Sequence, residues 1–285
     1  MTKLFDVVLI ETKNVCTRDC WFCKFGQERQ DEATVQMDWE TVERIVGNLK
    51  ALDYRGRISW FWINEPLLEK RMSDILKLTK RKCSHAFVSL ITNGDLLNEN
   101  VYRDLRKSGL DALGVSVYDD KTFNKIERMP NDGRLVMIDM RQPSPGLLEN
   151  RASHVKQNPE VFENYRQQFM HKSCERPFNM LTINPKGQVV LCCADMYSDV
   201  VMGDVHEQRL EEIWNNERFN DYREKLNAQG RKDLKLCDGC SYEGSASTLY
   251  YPLKARPASG YLPRVRSIAA KYLPSLQGDK RHSNY

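Results

Sequence analysis

The sequence predicts an α/β protein: a truncated, open (β/α) parallel partial barrel with a small C-terminal β-hairpin plus helix domain. Three observations predict it. Short β-branched and aromatic runs alternate with amphipathic segments through the first half of the chain, that rhythm stops near Pro143, Pro145 and Gly146, and most cysteines fall into two separated groups. Strands alternating with helices of this length imply right-handed βαβ crossovers and a parallel sheet, with functional groups at the carboxyl ends of the strands.

Residues 5–11, a run of apolar residues broken by Asp6 and ended by Glu11, form the first expected strand, which runs into a cysteine loop. Asp38 is an expected N-cap; Val42, Ile45, Val46, Leu49 and Leu52 then recur at helical spacing, and the helix should stop near Asp53. The dense run at 57–64 is read as a second strand, with a helix through Met72, Ile75 and Leu76 behind it. Residues 86–92, 112–118 and 135–140 are further strands, and 99–108 is a helix closed by Gly109. About five strands before residue 145 are too few to close an eight-stranded barrel. Beyond the break, 181–184 and 188–192 flank the turn Pro185-Lys186-Gly187 as a hairpin. A helix over 211–226 follows, with Ile213, Trp214 and Phe219 as buried anchors.

A chain of 285 residues with 41% hydrophobic and 29% charged residues suits one sizeable domain with an extension. The expected division is a core over 1–145, a cysteine-bearing extension over 146–245 and a basic tail over 246–285. The net charge of +4 is uneven: seven Lys or Arg against Asp279 make the tail from Ser247 onward +6 and leave the rest at −2. The body therefore lacks the broad basic surface of a nucleic-acid-binding protein. No apolar run reaches membrane-spanning length and the first residues make a poor signal peptide, so a cytoplasmic location is expected. Thiols in that compartment stay reduced, which points nine cysteines towards metal ligation.

Cys16, Cys20 and Cys23 have the spacing C-x3-C-x2-C. Three thiolates are one too few for an iron–sulfur cubane, which normally takes four, so one iron would remain open to a ligand that is not protein. A zinc knuckle is the alternative, but no His or Cys lies between Cys23 and Cys83 to complete a local tetrahedron. In the second group Cys174 is followed by twelve residues, Gly187, four residues and Cys192, and then by Cys237-x2-Cys240. These four could close a second 4Fe-4S cluster suited to electron transfer, or a zinc ribbon.

The three-cysteine loop resembles that of the radical S-adenosylmethionine (SAM) superfamily, and the second group resembles the SPASM extension in its shortened, twitch form. What the resemblance implies is two 4Fe-4S clusters, one SAM-binding through Cys16, Cys20 and Cys23 and one auxiliary through Cys174, Cys192, Cys237 and Cys240. Phe22 holds the position of an aromatic near the SAM adenine. Asn64 and Glu65 stand where the family has Gly-Gly-Glu-Pro, with Glu65 implied to meet the SAM ammonium; Thr92, Asn93 and Ser116 fall at SAM-contacting levels. The segments GRISWFWINEPLL, TNGDLL and VVMGDVHEQRLEEIW narrow the likeness, over roughly residues 3 to 245, to radical SAM dehydrogenases that oxidise a secondary alcohol of an aminocyclitol. In them a SAM-derived radical takes hydrogen from a carbinol carbon, a base takes the hydroxyl proton and the auxiliary cluster takes the electron.

Arg151 matches an Asn-Arg element near the substrate of those dehydrogenases, where two glycines follow; here Ala152 and Ser153 do. Arg is ordinarily always charged, so orienting the substrate is its expected role, with a surface ion pair as the rival. Asp195 is a candidate base or anchor, or the cap of the turn beyond the hairpin. Cys193 replaces an aromatic of the dehydrogenases and, next to a ligand in an extended strand, should point to the other side. As a thiol near a carbon radical it would make the enzyme an epimerase; as a buried Cys it is a small apolar residue. Three activities follow for a small polyol, aminocyclitol, nucleotide sugar or peptide: oxidation, epimerisation or peptide maturation, the last disfavoured because no leader-binding segment precedes Leu4. The implied partners are a small-molecule substrate and a flavodoxin or ferredoxin as reductant. Tyr250, Tyr251, Tyr261 and Tyr272 alternate with basic residues in the tail, whose expected state is solvated, with membrane contact the weaker reading.

Overall fold

Eight strands form one open sheet in the order β5-β4-β3-β2-β1-β6-β7-β8. The computed structural model describes residues 4–27, 33–130, 132–141, 150–156 and 159–245. Their elements run β1 (Val7–Ile10), α1 (Lys24–Gln27), α2 (Trp39–Ala51), β2 (Arg57–Ser59), a 3-10 turn (Pro66–Leu68), α3 (Met72–Lys82), β3 (Phe87–Thr92), α4 (Glu99–Lys107), β4 (Ala112–Val117), α5 (Asp120–Glu127) and β5 (Leu135–Asp139). After these come α6 (Pro159–Phe169), α7 (Arg176–Asn179), β6 (Met180–Ile183), β7 (Gln188–Val190), β8 (Val201–Asp204), α8 (Leu210–Trp214) and α9 (Glu217–Gln229). β1 to β5 pair in parallel, each with its neighbour in sequence. The expected break at 142–149 and the tail from residue 246 lie outside the described residues.

The alternation of side chains along the strands gives the sheet its two faces. Val8, Ile10, Ile58, Val88, Leu90, Leu113 and Val115 join the main core with Val42, Ile45, Val46 and Leu49 of α2 and Ile75 and Leu76 of α3. Each such side chain stabilises the fold by about 1.5–3 kcal/mol when fully buried. The intervening residues Val7, Leu9, Met180 and Val190 gather on the other face with Trp62 and Cys193. α2 begins where expected, with the Asp38 carboxylate accepting the Thr41 N–H at 2.7 Å. It ends at Leu52, beyond which Asp53 turns to a positive φ of 44°.

Three local readings change. The second strand stops at Ser59 rather than running to 64, because the chain turns away after Trp60, whose N–H still meets the Ser89 carbonyl at 3.3 Å, and Asn64 folds back to accept the Trp62 N–H at 3.2 Å. The single helix over 211–226 is two helices: Asn216 caps the second by accepting the Phe219 N–H at 2.8 Å. Finally, the C-terminal hairpin is joined to the core sheet, since β6 lies parallel to β1 with Val8 opposite Leu181. β7 returns antiparallel through a turn in which the Gly187 N–H meets the Asn184 carbonyl at 3.0 Å. Gly187 has φ +79°, and a Cβ there would lie 2.5 Å from the His206 ring, so the turn needs glycine.

Candidate active site

The carboxyl ends of β1 to β4 open onto one cavity lined by Cys16, Cys20 and Cys23 of the loop after β1, and by Phe22, Asn64, Glu65, Thr92, Asn93, Ser116 and Arg151. Phe61, Trp62, Ile63 and Tyr118 form much of its apolar wall. Strands of a parallel sheet deliver their following loops to one edge, which is how residues more than a hundred positions apart converge. The expected SAM-contacting residues are thus brought together with the three-cysteine loop and Arg151. Cys193 and Asp195 are not among the lining residues.

The cysteine loop is held by charge as well as backbone. Arg18 donates through Nε to Asp95 at 2.9 Å and through a terminal nitrogen to Asp119 at 2.6 Å, tying the loop to the ends of β3 and β4. Asp119 also caps α5 by accepting the Thr122 N–H at 2.7 Å. That backbone bond first, and then Arg18, hold its carboxyl at about 2, below the usual carboxylate range. Arg18 further lies 5.4 Å from the Tyr118 ring centre, and Tyr118 sits 5.7 Å from Phe22.

Glu65 is almost fully buried, and its carboxylate accepts the Thr92 hydroxyl at 2.6 Å, the Asn93 N–H at 2.8 Å and the Leu67 N–H at 3.0 Å. It therefore clamps the end of β3 to the turn after β2. Burial raises its pKa, while Thr92 and the two backbone donors oppose the rise. Asn93 reaches the cysteine loop in turn: its amide lies 2.8 Å from Thr17 Oγ1 and 3.7 Å from Cys16 Sγ. The Asn64 Nδ2 is buried in the cavity wall with no hydrogen-bond partner, a donor aimed at the space a ligand would fill.

Arg151 enters the cavity from a strained turn. Arg151, Ala152 and Ser153 have φ of 47°, 56° and 72°, a left-handed run that costs about 1–2 kcal/mol per non-glycine residue. The turn is fastened to the second cysteine group: Asn150 Nδ2 and Ser153 Oγ donate to the Gly239 carbonyl at 2.7 and 2.8 Å. Gly239 lies between Cys237 and Cys240.

None of the nine cysteines, all among the described residues, forms a disulfide. Among the described residues, the sole set of three ligand atoms within 4.8 Å of one another is His154, Asp195 and Asp199. Backbone N–H groups point at the sulfurs, from Arg18 to Cys16 at 3.5 Å, from Ala194 to Cys192 at 3.4 Å and from Tyr242 to Cys240 at 3.5 Å, as suits cluster thiolates. Burial pushes the Cys20 thiol up to about 11 and Cys237 up to about 12, so both would shed protons on taking a metal.

Two family models match the chain, the radical SAM superfamily over residues 10–132 and SPASM, an iron–sulfur cluster-binding domain, over 174–241. The chain thus carries a radical SAM domain followed by a SPASM domain. It takes SAM and two iron–sulfur clusters as cofactors. The S-adenosyl-L-methionine-dependent 2-deoxy-scyllo-inosamine dehydrogenase of Niallia circulans is 28% identical over 252 residues, which span 85% of this chain and 94% of that relative. The crystal structure of BtrN in complex with AdoMet and 2-DOIA matches with a TM-score of 0.74 at 27% identity, over 85% of this chain and 97% of that one. BtrN in an open conformation matches at 0.67 and 25% identity, over 85% and 94% of the two chains. The open α/β sheet of this chain is thus shared with those structures.

Two expected residues sit elsewhere in the radical SAM scaffold. Asp195 is fully buried, its two oxygens accepting the Asp199 N–H at 2.8 Å and the Val200 N–H at 2.9 Å, the capping arrangement of a turn. Cys193 packs with Val7, Leu9, Trp62, Met180 and Val190, while Cys192 packs with Ala152 and Ala194 in a separate cluster. Trp62 covers the Cys193 backbone, donating its indole N–H to that carbonyl at 2.8 Å. Sequence reading missed Arg18, Asp119, Tyr118 and Asn150; only the Asp119 cap had a local signal, an Asp before a helical run.

Proposed function

We propose that this protein is a radical SAM dehydrogenase that oxidises one secondary alcohol of a small polyol, aminocyclitol or nucleotide sugar to a ketone. Residues 1–145 would be its catalytic core, 146–245 the auxiliary-cluster extension and 246–285 a basic tail. One observation carries this: both cysteine groups fall within the matched radical SAM and SPASM domains, and the likeness to an aminocyclitol dehydrogenase covers 85% of the chain.

When bound, SAM and its cluster supply a radical strong enough to take hydrogen from a carbinol carbon, and the auxiliary cluster supplies a one-electron acceptor. Cys16, Cys20 and Cys23 would hold the first cluster, and Cys174, Cys192, Cys237 and Cys240 the second. Phe22 and Tyr118 offer ring faces to the adenine, and Asn64 offers its free amide hydrogens to a SAM polar group. Glu65, Thr92 and Asn93 act together, fixing the strand ends against the cysteine loop; Ser116 adds a hydroxyl at the same level. The alcohol carbon would give up a hydrogen atom to the SAM-derived radical, its hydroxyl a proton to solvent and the remaining radical one electron to the auxiliary cluster, which leaves the ketone. Arg151 donates to the substrate oxygen and favours its deprotonated form, since a guanidinium stays charged. Phe61, Trp62 and Ile63 wall the cavity and limit water near the radical.

Epimerisation would require a hydrogen donor facing the substrate. Cys193 packs in the apolar layer against Trp62 rather than lining the cavity, which supports oxidation. Asp195, with both oxygens engaged by backbone donors, serves the turn rather than the reaction. A reductant such as flavodoxin or ferredoxin and a cytoplasmic location complete the reading; reduced thiols and cluster assembly suit that compartment. Among the described residues no helix is long and apolar enough to cross a membrane.

The deciding experiment is an anaerobic incubation with SAM, dithionite and aminocyclitols or polyols deuterated at a single carbinol carbon. Expected are a ketone and 5′-deoxyadenosine carrying that deuterium. Recovery of an inverted alcohol bearing solvent hydrogen, with no ketone, would replace oxidation by epimerisation.

A further inference from the structure

Arg231 is one of the largest fully buried side chains, with 1% of its surface exposed. It follows α9 and precedes the Cys237–Cys240 loop by a few residues. Its terminal nitrogens donate to the carbonyls of Tyr242 and Ser173, neighbours of Cys240 and Cys174, the Ser173 contact measuring 3.4 Å. Its Nε is buried with no hydrogen-bond partner, and no carboxylate is bonded to the group among the described residues. The nearby acid Asp238 is engaged by Arg166 at 2.9 Å instead. Burying a guanidinium against two carbonyls alone is expensive, because neither supplies the charge that compensates lost hydration. The anion this cation needs is the cysteine group beside it, since its two carbonyl partners belong to residues one and two positions from Cys174 and Cys240. Arg176, two residues after Cys174, has its guanidinium carbon 3.4 Å from the centre of the Tyr242 ring. The Tyr242 N–H meanwhile meets Cys240 Sγ at 3.5 Å.

We propose that Arg231 is the counter-charge of the auxiliary cluster, a positioning residue that favours the cluster's reduced state and so draws the electron from the substrate radical. This rests on the reading that Cys174, Cys192, Cys237 and Cys240 hold a 4Fe-4S cluster. One-electron reduction adds a negative charge to that cluster, the electron being the one the substrate radical loses on becoming a ketone. A fixed positive charge in a low-dielectric setting stabilises the added charge more than it stabilises the oxidised form.

The test uses full-length protein carrying Cys16→Ala, Cys20→Ala and Cys23→Ala, so that the auxiliary cluster alone is titrated, without SAM or substrate, by EPR against a mediated potential. Arg231→Gln and Arg231→Lys are compared in that background. The Gln variant is expected to lower the reduced-to-oxidised ratio at fixed poise at least tenfold, equal to about 59 mV for one electron, with the Lys variant within about threefold of the parent. A Gln variant that loses the cluster while Lys keeps it also supports the charge requirement. A loaded Gln variant with the parent's midpoint overturns the proposal, as does loss of the cluster from both variants, which would assign Arg231 to packing. If the parent itself holds no iron, the auxiliary-cluster reading fails, which is a distinct result.

Discussion

Asn150 donates through Nδ2 to the carbonyl of Gly239 at 2.7 Å and, through Oδ1, accepts the Ser241 N–H at 3.0 Å. The pair fastens the Arg151 turn to the loop that carries Cys237 and Cys240, linking a cavity residue to the second cysteine group without a shared helix or strand. Three left-handed residues follow Asn150, and their strain of about 1–2 kcal/mol each must be opposed by these contacts.

Asn150→Ala removes two buried hydrogen bonds and leaves the Gly239 carbonyl with Ser153 alone. Each bond contributes roughly 1 kcal/mol, and leaving its partner buried without one costs ~1–3 kcal/mol. The expected outcome is a fall in Tm of about 5–10 °C, from about 2–4 °C per kcal/mol in a chain of this size. Ketone formation should fall by at least tenfold as Arg151 loses its position. Differential scanning calorimetry beside a product assay checks both; unchanged turnover would mean that the Arg151 turn holds itself.

Arg18 makes the acid response of the site predictable. The Asp119 carboxyl is held at about 2, against an ordinary 3.8, by the Thr122 N–H first and Arg18 second. A depressed acid contributes stability above its unfolded value and loses that contribution as pH falls through the folded one. The Asp119 contribution should therefore be intact above about pH 4 and disappear as the pH drops towards about 2. Asp119→Asn should flatten this segment of a stability-versus-pH curve and leave the neutral region lower than wild type. Arg18→Ala should do the same and also loosen the cysteine loop, so iron retained after desalting should fall by up to about four atoms, one cubane. Denaturation curves from pH 2 to 7 with iron analysis would expose a wrong assignment if Arg18→Ala kept all its iron and its acid slope.

Much of this architecture was readable from pattern alone, and the reasons for the exceptions are physical. Strand runs such as residues 86–92 and 112–118 are buried on both faces, so β-branched residues mark them clearly. Asp38 and Gly109 announce helix ends because caps are local. The parallel pairing of β6 with β1 depends on residues about 170 apart and leaves no local trace. The same holds for Arg18 with Asp95 and Asp119, which lie 77 and 101 residues away. At the Arg151 turn, sequence reading is misled: Ala152 and Ser153 rarely adopt positive φ, and the tertiary clips to Gly239 and Ser241 help to hold them there. The family resemblance marked Glu65 as a SAM-site acid, but its burial and its three donors come from the chain fold, so its clamping role was not legible.

Removing the first cluster should leave the second. Cys16→Ala, Cys20→Ala and Cys23→Ala together take away the cavity thiols, which make no contribution to the main core. The triple variant should keep about four irons where the parent holds about eight, lose all 5′-deoxyadenosine formation and retain its fold by circular dichroism. Iron, sulfide and product analysis on one anaerobic preparation measures this. Equal iron in parent and variant would remove the cysteine loop from the ligand set.

Cys193→Ala separates packing from chemistry. The thiol lies in an apolar cluster with Leu9, Trp62 and Met180, and its neighbour Cys192 packs on the other side with Ala152. Replacing sulfur by hydrogen leaves a void next to Trp62, but the indole still donates to the backbone carbonyl at residue 193, so the wall keeps its anchor. A loss of roughly 1 kcal/mol is expected from the removed apolar volume. Turnover to ketone should stay within about threefold of wild type, since a rate change of that size corresponds to under ~1 kcal/mol in the barrier. The assay follows ketone and 5′-deoxyadenosine together, in ordinary and in deuterated water. A variant that still consumes SAM but changes the product from an inverted alcohol to a ketone would show that the Cys193 thiol had been delivering hydrogen to the substrate carbon. It would also require the layer holding Leu9 and Trp62 to open towards the cavity during the reaction.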